Sequence, residues 1–135
     1  MQERRHVLAI GRYRCEPGAV AQARRIAVEA YAAFPWIDSG TVELLVSELA
    51  TNAVLHSHGA DFFVLCHSPS LADGSVQVEV HDRGSAVPAV RMADEMDEGG
   101  RGLELLGLLA SHWRTERTTT GKSLVFTLKG DRWIA

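Results

Sequence analysis

Glu48, Asn52 and His56 stand four residues apart in the stretch ELLVSELATNAVLHS. Side chains at that spacing share one face of a helix, here a carboxylate, an amide and an imidazole in a stripe. Their neighbours are mostly Leu, Val and Ala, so these polar groups need partners if they are buried. A Mg-nucleotide would supply them. Mg²⁺ takes oxygen ligands in an octahedron, few from protein and the rest from phosphate and water, and the Asn52 amide oxygen suits that role. Glu48, one turn earlier, is placed to orient a metal-bound water or to accept a proton from a hydroxyl attacking a γ-phosphate. The same spacing also fits a solvated Glu48 and an Asn52 bonded to nearby backbone. His56 fits either a phosphate contact or a polar network at the helix base.

Two glycine-containing turns follow. Asp82-Arg83-Gly84 closes a Val-rich stretch. A carboxylate there can accept from an exocyclic amine such as that of adenine, and Gly84, lacking a Cβ, lets backbone approach a flat ring. A plain Asp-x-Gly turn is the simpler alternative. Gly99-Gly100-Arg101-Gly102 directly precedes a helical pattern. Free N–H groups at a helix start favour anions, the glycines permit close approach, and Arg101 adds a charge partner for phosphate. The spacing matches neither GxxxxGK[ST] nor a dinucleotide fingerprint, and a hinge is the alternative.

Other chemistries find little support. His58, His67, His81 and His112 lack metal-ligand spacing, and His67 and His81 are expected as surface residues of strands. Cys15 and Cys66 form no CxxC pair, and a reduced compartment is the simplest setting. No nucleophile elbow is present. Trp113 and Trp133 read as core or edge aromatics.

These residues need a scaffold to position them. The pattern predicts a strand over 7–14, a helix from Pro17 with Val20, Ala23, Ala27, Ala30 and Phe34 inward, and a stop at Pro35. A second helix is expected from about Val42 to His56, closed by Ser57-His58-Gly59. Strands follow over 61–67 and from Val76, where Val76, Val78 and Val80 alternate with Gln77, Glu79 and His81 to give one buried face. The stretch 83–99 reads as irregular, and such a long connection suggests a lid or binding loop. A third helix over 102–111 and strands over 113–117 and 123–129 complete the chain. This order implies one sheet covered on one face by helices.

At 135 residues the chain is expected to be a single domain, 1–135, with an ordinary globular balance of 46% hydrophobic and 23% charged residues. A net charge of −3 gives no field for nucleic acid. No signal peptide or 18-residue apolar run is visible, so neither secretion nor a membrane is expected, and a cytoplasmic location follows by elimination.

Taken in order, the three motifs resemble the GHKL ATPase/kinase superfamily, in particular the RsbW/SpoIIAB-like anti-sigma-factor serine kinases, histidine-kinase-like ATP-binding regulators. The matching pieces are SELATNAVLHS, VEVHDRGSAVP, GGRGLELLGLLASHW and GKSLVFTL, between about Arg14 and Lys129. The resemblance implies a Bergerat-type α/β two-layer sandwich with a mixed, mostly antiparallel sheet, and ATP and Mg²⁺ as ligands. Glu48 would be catalytic, Asn52 the Mg²⁺ ligand and Asp82, beside Gly84, the adenine reader. Residues 86–99 would form the ATP lid, and Gly100, Arg101 and Gly102 would touch phosphates. Ser123 falls where relatives often carry a Thr that supports the adenine network. Two departures stand out: Trp113-Arg114 replaces the usual Trp-Gly, and the last strand reads Gly121-Lys122-Ser123-Leu124 where Gly-x-Thr is frequent.

The activity so implied is serine/threonine kinase action on a STAS-type anti-anti-sigma protein, combined with binding of a sigma factor. A non-catalytic ATP-binding protein that sequesters a regulatory partner is the alternative, and a domain with relic motifs a third. A homodimer is compatible with each.

Overall fold

The computed structural model describes residues 6–57, 61–69, 74–83 and 106–129. Among the described residues, five strands and two helices run in the order β1 (His6–Arg14), α1 (Pro17–Ala30), α2 (Ser39–His56), β2 (Asp61–Ser68), β3 (Val76–Asp82), β4 (His112–Arg117) and β5 (Lys122–Leu128). A helical turn at 106–109 precedes β4. The strands form one sheet in the order β1-β2-β3-β5-β4, and every described pairing is antiparallel. Helices and sheet make an α/β sandwich, as expected. Among the described residues no helix is long and apolar enough to cross a membrane.

Both helices differ at their ends from the sequence expectation. Pro17 does open α1, but the helix ends at Ala30, and Tyr31, Phe34 and Trp36 instead form an aromatic turn with edge-to-face contacts. Tertiary bonds hold that turn. The Tyr31 hydroxyl lies 2.7 Å from the Gln77 carbonyl and 3.2 Å from that of His67, and Trp36 Nε1 donates to the Gly74 carbonyl at 2.8 Å. The second helix starts three residues earlier than expected. Asp38 caps it, its Oδ2 accepting from the Thr41 amide and hydroxyl, so Ser39 and Gly40 already belong to the first turn.

The core lies between helices and sheet. From α1 it takes Ala19, Ala23 and Ala27, a stripe of small side chains that lets α1 pack closely on α2. From α2 come Val42, Leu45, Val46, Leu49, Ala50 and Ala53, which fixes which side of the helix meets the sheet. On β3 and β5 the rows Val76–Leu128, Val78–Phe126 and Val80–Leu124 are paired and buried. The next row in the same register is Asp82–Lys122, where the apolar floor gives way to charge at one end of the sheet.

Candidate functional site

The polar row opens a cleft. Its lining is Leu49 and Asn52 from α2, Val80 and Asp82 from β3, and Lys122, Ser123 and Leu124 from β5. Leu49, Val80 and Leu124 supply an apolar floor, while Asn52 and the charged pair supply the polar groups, the usual build of a small-molecule site. Strand period places Asp82 two residues beyond Val80 on the same face, so a carboxylate arrives at the rim of the core.

Asp82 is held there by ionic and covalent geometry. Lys122 Nζ lies 3.1 Å from Asp82 Oδ1, and the two side chains are only 11% and 8% exposed. Immediately before Lys122, Gly121 passes so close to β3 that a Cβ on it would collide with the Asp82 carbonyl and the Arg83 Cα. The glycine is required by this close approach of two backbones.

The structure therefore brings together Asn52 and Asp82, residues thirty apart in sequence, on one cleft. Glu48 stands one turn back on α2 and is half-buried. Neither the Glu48 carboxylate nor the Asn52 amide hydrogen-bonds to another described residue, which leaves both able to serve a ligand. His56 is exposed in the last turn of α2 and does not line the cleft. Ser123 borders the cleft, but its register partner is His81, and alternation along β5 turns its hydroxyl to the opposite face from Lys122. Gly84, the stretch 86–99 expected as a lid, Gly100, Arg101 and Gly102 lie outside the described residues, as do His58, Gly59 and Trp133.

Lys122 was not singled out by its sequence surroundings, beyond marking a departure from Gly-x-Thr. A signal was there. β3 ends its inward alternation on an acid, Val80-x-Asp82, and β5 begins its own on a base, Lys122-x-Leu124. Only the antiparallel register makes those two ends meet.

The opposite sheet face corrects the expectation for His67, whereas His81 stays partly exposed. His67 is fully buried, and its Nε2 lies 2.9 Å from Glu79 Oε2. His81 Nε2 lies 2.8 Å from Glu79 Oε1, and the ring stacks on Phe63 at 4.4 Å between centroids. These hydrogen bonds hold the Glu79 carboxyl well below the usual carboxylate range. The period-two pattern of β3 thus has one fully buried face, and on the other only Glu79 is buried, between the half-buried Gln77 and His81. Burial pushes the Cys66 thiol up to about 12, and both cysteines are free.

A single amide oxygen fits Mg²⁺ as a metal that takes most of its ligands from phosphate and water. Among the described residues no group of three or more His, Cys, Asp or Glu side chains could hold a metal by themselves, so an all-protein cage is not built from them. The family model for a histidine kinase-like ATPase domain matches residues 13–128, from the end of β1 through β5. No curated protein matches the chain.

Proposed function

This chain belongs to the histidine kinase-like ATPase domain family, and from that premise we propose that it is a Mg-ATP-dependent regulator of the anti-sigma-factor serine kinase type. ATP binding follows from the family. The finer reading rests on the cleft, which Asn52 and Asp82 line together with the apolar Leu49, Val80 and Leu124. In this reading Asp82 accepts from the exocyclic amine of adenine, and Leu49, Val80 and Leu124 cover the ring. The ribose and phosphates run from there toward Asn52, whose amide oxygen would hold Mg²⁺. The metal, when bound, neutralises charge on the β- and γ-phosphates. Glu48, one turn along α2 and without a protein partner among the described residues, accepts the proton of the attacking serine or threonine hydroxyl. Most of the catalysis is then positioning and charge neutralisation.

The acceptor in this proposal is a STAS-type anti-anti-sigma protein, and a sigma factor is the second partner. The observation that carries the reading is the convergence of Asn52 and Asp82 on one cleft, with Glu48 one turn back on α2. The test is incubation of the chain with γ-labelled Mg-ATP and candidate antagonist proteins from the same organism. Label on a serine or threonine of one antagonist, absent with Glu48→Ala, is the expected result. ATP binding without any transfer across the antagonist set would replace the kinase with a non-catalytic ATP-binding regulator that sequesters its partner.

A further inference from the structure

Along the paired inward face of β3 and β5, three rows are apolar and the fourth is Asp82–Lys122. A buried ion pair at such a position gains little stability over a packed apolar pair, because both charges lose their hydration. Its placement on the cleft wall points to a role in binding. Lys122 carries three N–H donors, and Asp82 is the ammonium's ionic contact among the described residues. We propose that Lys122 is a second base-reading residue, donating to N1 of the adenine ring while Asp82 accepts from the 6-amino group. The proposal rests on the ATP-binding reading of this cleft and deepens it.

The geometry suits a two-point contact. Asp82 Oδ1 and Lys122 Nζ stand 3.1 Å apart, an acceptor and a donor side by side. The six-membered edge of adenine offers the complement, an amine hydrogen next to an unprotonated ring nitrogen. That edge lies opposite the sugar-bearing nitrogen. A base that sends its ribose and phosphates toward Asn52 therefore meets the charged pair with this edge. The same order of groups is wrong for a 6-oxopurine, whose carbonyl would face Asp82 and whose N1–H would face the ammonium. Lys122 thus doubles the mismatch against a 6-oxo base, where Asp82 alone would oppose it at one point.

Calorimetric titration of the whole chain with ATP, 1-deaza-ATP, 7-deaza-ATP and ITP, in Mg²⁺, tests the assignment. The native chain should bind 1-deaza-ATP, which has a C–H at position 1, about tenfold or more weakly than ATP, the usual worth of a hydrogen bond to a charged group. It should bind 7-deaza-ATP close to ATP. In Lys122→Met the penalty for 1-deaza-ATP should vanish, and the preference for ATP over ITP should shrink. Lys122→Arg, which keeps a cationic donor, should restore part of the 1-deaza penalty. If Lys122 only braces Asp82, Lys122→Met weakens ATP and 1-deaza-ATP by the same factor, which overturns the proposal. A penalty that falls on 7-deaza-ATP overturns it too. Should Lys122→Met fail to fold, equal affinity of the native chain for ATP and 1-deaza-ATP overturns it without any variant. Failure of the native chain to bind ATP at all is a different result, and that one removes the ATP-binding reading of the cleft itself.

Discussion

Asn52 and Glu48 share a helix face one turn apart, yet they are assigned different work, and their variants should separate it. Asn52→Ala is expected to weaken ATP binding in Mg²⁺ and to change it little in EDTA, read by calorimetry in both buffers. Glu48→Ala should keep ATP affinity near the native value and slow phosphate transfer by about 10² or more, the scale of a positioned general base. Transfer at the native rate would remove Glu48 from the chemistry. Asp82→Asn leaves the Lys122 ammonium buried without its ionic partner. Loss of one partner of a buried pair costs about 3–5 kcal/mol. The variant should therefore lose stability in urea titration as well as ATP affinity, and its selectivity for ATP over GTP should fall. The residue types were readable in the chain, since a carboxylate, an amide and a second carboxylate after a Val-rich strand have few joint uses. Lys122 was not, because a lysine after a glycine turn has no distinctive neighbours along the chain.

At the scale of elements, the site depends on how β3 and β5 meet. Gly121→Ala is expected to push β5 away from the backbone of Asp82 and Arg83, where its Cβ would otherwise lie. Overpacking of this kind costs about 1–3 kcal/mol. A lower melting temperature together with weakened ATP binding is the expected outcome. Gly18→Ala in the first turn of α1, with nothing within 4 Å of its Cβ, should do neither. The rear face of the sheet gives a pH signature. The folded chain holds the Glu79 carboxyl below its ordinary value through His67 and His81, so protonating it costs more folded than unfolded. Its stabilisation is complete above the usual carboxylate range and is lost as pH falls below that range. Glu79→Gln should lower stability at neutral pH by about 1–2 kcal/mol and flatten the acid limb of the curve, in urea titrations from about pH 7 to pH 3. An unchanged acid limb would show that other carboxylates set it.

For the whole molecule, nucleotide binding and folding are linked. A ligand that binds only the folded chain stabilises it, by about 2.7 kcal/mol at a hundred times its dissociation constant. Mg-ATP should therefore raise the melting temperature by several degrees, and the gain should vanish in Asn52→Ala when ATP is held at the same concentration. The two edges of the sheet differ in character. Edge strand β4 carries the exposed Arg114–Glu116 pair at 2.7 Å, a common guard against edge-to-edge pairing, while edge strand β1 leaves Val7 and Ile10 exposed.

Apolar composition, periodicity and proline and glycine punctuation together located both helices and all five strands among the described residues, because burial on one face imposes a period of 3.6 or 2 where an element packs. Pro17, Pro35 and the Val76-x-Val78-x-Val80 alternation are local statements, and local statements survive translation into structure. Element ends survived less well. α1 stops at Ala30, short of Phe34, because Tyr31 bonds to a carbonyl of β3 and Trp36 to the Gly74 carbonyl just before that strand, partners some forty residues away that no local pattern contains. The expectation for His67 failed for the same reason: it is buried beside a Glu of the next strand, and alternation by itself cannot report a cross-strand carboxylate. Residue types along the chain determined that a polar stripe, an acid-glycine turn and a glycine-rich turn were present. The antiparallel register decided that Asp82 would face Lys122, and helix packing decided that Asn52 would overlook them both. Pairing and packing join residues by distance in space, which the order of a chain does not carry.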